Sequence, residues 1–210
     1  MDATLDNPIE DGDIEWDGEG YIRFSGTAQA YYGGIGQLDA VWLNDWRAYV
    51  EWDISTLAGK TLTANPIFKY HGLQTLATDE EINPLTEEAP SGATDENLYG
   101  YIASGAAYVD PFNHEVGGNK QVDLGAAARA DLQAAMDAHQ AWFAIGFQSP
   151  ADEGTKVAGI RSAFFTEDKT DPSAVPKPTL YVEYTEPPPA NPLIGKPLIS
   201  PDLIKKAKIR

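Results

Sequence analysis

The run Arg47-Ala48-Tyr49-Val50-Glu51-Trp52-Asp53-Ile54 constrains the fold more than any other stretch of the chain. Ala48, Val50, Trp52 and Ile54 alternate with Arg47, Tyr49, Glu51 and Asp53, and a period of two places the first set on one face of a half-buried strand. Such a strand needs a sheet around it and a second layer against it. Further strands are expected at 21–24, 61–71, 98–103, 142–147, 159–166 and 179–185, with Pro66 arguing for an edge or a bulge in the second of these. The glycine turn Gly33-Gly34-Ile35-Gly36 and the turn at 57–60 separate the early strands. Residues 77–97 read as a long acidic surface loop and 104–118 as a Gly/Asn/Pro-rich one. A single helix is expected, over 125–140, where Leu124, Ala128, Leu132 and Met136 fall at i+4 steps on one face. Seven or eight short strands with one helix and no βαβ rhythm predict an all-β sandwich.

Composition narrows the function. The 210 residues carry a formal charge of −17 and no cysteine. Phosphate binding needs clustered Lys and Arg, so nucleic acid is not an expected partner. Disulfides, thiol nucleophiles and Cys-ligated metals are excluded. No apolar run reaches the ~20 residues of a membrane span, and residues 1–19, read as an acidic leader, have no signal-peptide character. At Pro187-Pro188-Pro189 the chain changes: residues 191–210 hold Lys196, Lys205, Lys206, Lys208 and Arg210 against Asp202, a net of +4 that leaves −21 for the rest. This tail, 187–210, also carries Leu193-Ile194, Leu198-Ile199, Leu203-Ile204 and Ile209, apolar anchors suited to a protein partner or to another copy of the chain. The organisation expected is therefore a leader at 1–19, a sandwich at 20–186 and an attachment tail at 187–210.

Catalysis finds no motif. The histidines His71, His114 and His139 are far apart and lack metal-ligand spacing. No nucleophile elbow or phosphate loop occurs. Counting from Asp13 does not yield an EF-hand, though Asp11, Asp13 and Asp17 could hold Ca²⁺ weakly as hard oxygen ligands. Tyr31, Tyr32, Trp42 and Trp46 flank the glycine turn, and faces of such aromatics stack on sugar rings. They are the glycan-binding candidates, set against the plainer role of lining the sandwich.

Arg47-Ala48-Tyr49-Val50-Glu51-Trp52-Asp53-Ile54-Ser55-Thr56-Leu57 resembles the signature strand of the DNRLRE-type β-sandwich modules, a jelly-roll family related to one class of carbohydrate-binding modules. Val122-Asp123-Leu124 is similar to that family's short strand before its helix, and Ala144-Ile145-Gly146-Phe147 to its "f-G-f" strand. Phe164-Phe165-Thr166-Glu167-Asp168 and Pro178-Thr179-Leu180-Tyr181-Val182-Glu183-Tyr184 resemble its closing pair. The resemblance covers residues 20–185 and is faintest at its start. It implies an antiparallel jelly roll with one short helix, no catalysis, and a place on secreted, wall-associated or phage-like surface proteins. The expected function is a structural display domain held by its tail on a virion or other particle surface, a decoration or appendage protein. The alternative is a carbohydrate-binding module of an extracellular protein.

Overall fold

The computed structural model describes residues 1–6, 8–16, 19–25, 29–32, 35–37, 43–74, 80–117, 119–149, 162–165 and 177–187. Its strands are β1 (Asp2–Leu5), β2 (Pro8–Trp16), β3 (Tyr21–Ser25), β4 (Gln29–Tyr32), β5 (Ile35–Gln37), β6 (Leu43–Asp53) and β7 (Thr61–Leu62). They continue as β8 (Ile67–Tyr70), β9 (Gly72–Gln74), β10 (Glu81–Leu85), β11 (Lys120–Asp123), β12 (Trp142–Gln148), β13 (Ser162–Phe165) and β14 (Thr179–Thr185). Two helices interrupt them, α1 (Asp95–Ile102) and α2 (Gly125–Asp137). The first sheet runs β1-β14-β8-β11 with β7 on β14, the second β10-β12-β6-β2-β3 with β5 on β6, and β4-β13-β9 form a small third sheet. Every strand pairing among the described residues is antiparallel, and the architecture is an all-β sandwich.

The main core lies between the two large sheets. Ala48, Val50 and Trp52 of β6 and Ile145 and Phe147 of β12 meet Phe68, Tyr70, Leu180 and Val182 of the first sheet. Leu124, Ala128, Leu132 and Met136 close one end, all fully buried, as their i+4 spacing requires. Before α2, the Asp123 carboxylate accepts from Gly125 N–H at 2.7 Å, turning the chain from β11 into the helix at a glycine with φ +83°.

Four expectations are corrected. The acidic leader is in fact β1 and β2, and β2 sits inside the second sheet between β3 and β6. Its acids disguise it as a solvated segment, yet Asp11, Asp13 and Glu15 are buried and themselves engaged in polar or electrostatic interactions. Gly12 fits this position because a Cβ there would overlap the Phe24 carbonyl oxygen.

Residues 98–102 are helix rather than strand. Thr94 caps α1, its hydroxyl accepting from Asn97 N–H at 3.3 Å, and Asp95 and Glu96 suit the positive end of the helix dipole. The loop expected over 77–97 contains β10, where Pro84 is tolerated on the edge strand of its sheet, paired with β12 on one side and bridged on the other through Ile82 to Val109. Finally, β6 is not half-buried. Tyr49 and Glu51 are as enclosed as Val50 and Trp52, because α1 and the segment before it cover the second sheet's outer face.

Candidate functional site

The departure of the tail is built on β14, which is an internal strand: β1 lies along one side, β8 and β7 along the other. Its last residues are held from several directions. Tyr184 exchanges backbone hydrogen bonds with Met1, at 3.0 and 2.9 Å. The Lys60 ammonium stands 4.2 Å from the centre of the Tyr184 ring and 3.4 Å from the Glu186 carboxylate. The turn that presents Lys60 is pinned to α2, since Gln133 accepts from Leu62 N–H (2.8 Å) and donates to the Lys60 carbonyl (3.0 Å). Arg129 donates to the Leu62 carbonyl at 2.7 Å. The chain therefore reaches the exposed Pro187 from a rigid platform at the α2 end of the molecule.

The opposite pole is located by the register. Tyr70, at the far end of β8, packs on Phe112, and Phe112 on Phe147. Phe147 pairs with Ala48, midway along β6 on the Trp46 side of Trp52. Lys60 and Leu62 instead come after the end of β6, so Trp46 and Tyr70 lie at the pole away from Pro187. There Trp46 stacks on Phe24 with ring centres 5.5 Å apart.

A second polar construction fastens the outer face of the second sheet. Arg23 donates to the carboxylates of Glu10 (3.2 Å) and Asp95 (2.9 Å), to the Pro90 carbonyl (2.9 Å) and to the Ala93 carbonyl. The Tyr49 hydroxyl donates to Glu10 at 2.7 Å. Glu51, opposite Glu10 in the ladder, accepts from Ser91 N–H (2.8 Å) and Ser91 Oγ (3.1 Å). The Arg47 guanidinium lies 3.7 Å from the centre of the Tyr99 ring and also donates to the Tyr99 carbonyl. Burial pushes the Tyr49 phenol up, helped by its bond to Glu10, and burial likewise raises the Glu51 carboxyl against the bonds from Ser91. Each of these groups has a structural task, tying the segment 90–99 over the sheet.

The candidates named from sequence are not gathered into one site. Trp46 is half-buried against Phe24. Tyr31 and Tyr32 fall on β4, paired with Ala163 and Ser162 of β13, and Trp42 lies outside the described residues. Asp11 and Asp13 are strand residues of β2 whose register partners are Val50 and Ala48, so they share the inner face rather than form a loop. Asp17 lies outside the described residues, as do Leu193, Ile194, Leu198, Ile199, Leu203, Ile204 and Ile209. Among the described residues no group of three or more His, Asp or Glu side chains is arranged to hold a metal ion.

Sequence reasoning missed one polar cleft. It has a volume of about 510 Å³ and lies between β11 and the segment 109–115, at the Tyr70 pole. The amides Asn113, Asn119 and Gln121 were the available signal, two of them in or beside the Gly/Asn/Pro-rich stretch that reads as a plain loop. No protein-family model matches this chain, and no curated protein matches it either.

Proposed function

We propose that the chain is a non-catalytic display domain, attached through residues 187–210 to a larger assembly such as a virion or other particle surface. The observation that carries this reading is the polarity of the molecule. The chain leaves a firmly held internal strand at the α2 pole, and beyond it the net charge switches from the −21 of residues 1–190 to +4. A basic, Leu/Ile-bearing segment behind a proline spacer suits attachment, and an acidic body suits exposure to solvent. The DNRLRE-type resemblance supports the reading from the sequence, since modules of that family are appendages without catalysis of their own. Glu10 and Glu51 spend their lone pairs on Tyr49, Arg23 and Ser91, a structural use of both carboxylates.

Co-sedimentation with particles or cell envelopes of the source tests it, using the full chain and a version ending at Glu186. Binding by the full chain alone is expected. Equal binding by both would sink the attachment reading and leave the sandwich surface as the contact. A carbohydrate-binding module working through Tyr31, Tyr32, Trp42 and Trp46 would instead be retarded in a polysaccharide gel and released by Trp46→Ala.

A further inference from the structure

Helix α2 has two flanks beside its buried stripe. Gln133 faces the Lys60 turn, and Asp131 and Ala138 lie close to half a turn round the helix from it. On that second flank an open groove of about 370 Å³ runs between α2 and the end of β10. Pro84 and Thr86 form one wall, Ala134 and Ala138 the other, and the buried Phe143 lies at the base. The register puts Pro84 and Phe143 on the same side of the sheet, since their partners Ile145 and Trp52 both face the main core. The groove is thus an open margin of that core. Asp131 accepts from the Tyr108 hydroxyl at 2.8 Å, and the Tyr108 ring stacks on Phe143 with centres 6.5 Å apart.

The rim of the groove is negative. Glu87, next to Thr86, accepts from the Ser104 hydroxyl at 2.6 Å, and among the described residues neither Glu87 nor Asp131 is paired with a Lys or Arg. The last turn of α2 carries no basic residue to offset the negative end of the helix dipole. An aliphatic segment with cations beside it is the complement, and the chain has one. Leu-Ile pairs recur every five residues, at 193–194, 198–199 and 203–204, and only the third is followed directly by two lysines, Lys205 and Lys206. The described chain reaches the exposed Pro187 on the Lys60 flank of the same helix. Between the flanks α2 exposes Ala130 and Ala134, whose short side chains leave a crossing chain unobstructed. Residues 188–202 can span ~45 Å at ~3.1 Å each, against a helix ~10–12 Å across. The tether holds the segment near the groove at an effective concentration on the order of mM.

We propose that Leu203 and Ile204 of the same chain occupy this groove, with Lys205 and Lys206 meeting Asp131, Glu87 and the last carbonyls of α2. The free domain then holds its own tail, and an assembly that takes the tail has to draw it out of the groove. Only that exchange rests on the attachment reading; the docking itself does not. Docking is tested on the isolated chain and attachment by co-sedimentation, so the failure of one is distinguishable from the failure of the other.

The test compares NMR spectra of the full chain with those of its double variant Leu203→Ser and Ile204→Ser, changes that leave the sandwich sequence intact. The backbone amide signals of Thr86, Ala134, Ala138 and Gln140 are expected to differ between the two. A peptide of residues 197–210 added to the double variant is expected to return those signals to their parent positions and to saturate. The same peptide carrying both serines should bind more than about tenfold more weakly, through the loss of two buried aliphatic side chains. Ala134→Arg, at an exposed helix position, fills and charges the groove, and should give the full chain the groove signals of the double variant. Unchanged signals at the four residues overturn the proposal, as do changes gathered at β3 or at the Tyr70 pole instead. Equal binding by a peptide of the same composition in scrambled order overturns it too. Docking signals that fade on dilution of the full chain also overturn it, because the occupant is then the tail of a second copy.

Discussion

The two faces of the second sheet are held by different means. On the inner face Ala48, Val50, Trp52, Ile145 and Phe147 meet the first sheet through hydrocarbon and aromatic contact, with Trp52 and Phe68 6.0 Å apart edge to face. On the outer face a smaller apolar group, Ile14, Tyr49, Leu85, Leu98, Ile102 and Ala144, is ringed by Arg23, Glu10, Glu51 and Arg47. Burial scales with apolar area and tolerates some disorder in direction, whereas the polar ring works only if each donor meets its acceptor. The inner face therefore carries stability, and the outer face carries the placement of α1 and the segment before it.

The largest effect belongs to the inner face. Trp52→Ala removes a fully buried side chain from the centre of the main core and should cost about 4 kcal/mol. Thermal or urea unfolding of the purified variant measures it. A loss near ~1 kcal/mol, well below the usual cost of a large-to-small core change, would mean that the outer face, not the inner one, dominates.

Next comes Arg23→Ala, at about 3 kcal/mol, because it leaves the Glu10 carboxylate with the Tyr49 hydroxyl but no counter-charge and takes the donor from two backbone carbonyls in one step. The bond to Asp95 adds little, since that carboxylate is 44% exposed and screened by water. Hydrogen exchange distinguishes placement from global stability: amides of α1 should lose protection before those of β6. Uniform loss across both would erase the distinction between the faces. Gly146→Ala should cost about 2 kcal/mol, because a Cβ there would lie 2.8 Å from Ile102 Cγ2 and push the helix off the sheet. Chemical-shift changes confined to α1 and β12 are the expected signature.

Legibility divides along the same line. The inner face was readable, because Ala48, Val50, Trp52 and Ile54 follow the period of the pleat and Leu124 to Met136 the period of a helix. The outer face was not. Its polar ring is written in Glu10 and Glu51, and periodicity of hydrophobic residues is blind to acids whose partners lie 13 to 40 residues away, as Arg23 lies from Glu10 and Ser91 from Glu51. The helix α1 had a local signal, the cap Thr94 with Asp95 and Glu96 behind it, which the aromatic pair Tyr99 and Tyr101 obscured by suggesting a strand. The cleft was illegible for a third reason: the segment 109–115 meets Tyr70 through Phe112 and Glu115, the latter 45 residues away, a contact no local pattern announces.

The smallest effect is a slope rather than a step. Glu51 is 1% exposed, and burial raises its carboxyl above the ordinary carboxylate value. The folded chain thus holds this proton over a range of pH in which the unfolded chain has released it. Its contribution to stability is complete below the ordinary carboxylate value and is lost as pH rises through the raised one. Glu51→Gln keeps an oxygen for Ser91 N–H but cannot ionise. The stability of the variant relative to the parent should therefore improve steadily from acid to neutral pH, because the titrating groups that the two share largely cancel in the difference. Unfolding midpoints at a series of pH values read that difference directly. A difference that stays flat would mean that Ser91 and Arg23 fully offset the buried charge, and the outer face would then be no costlier to hold than the inner one.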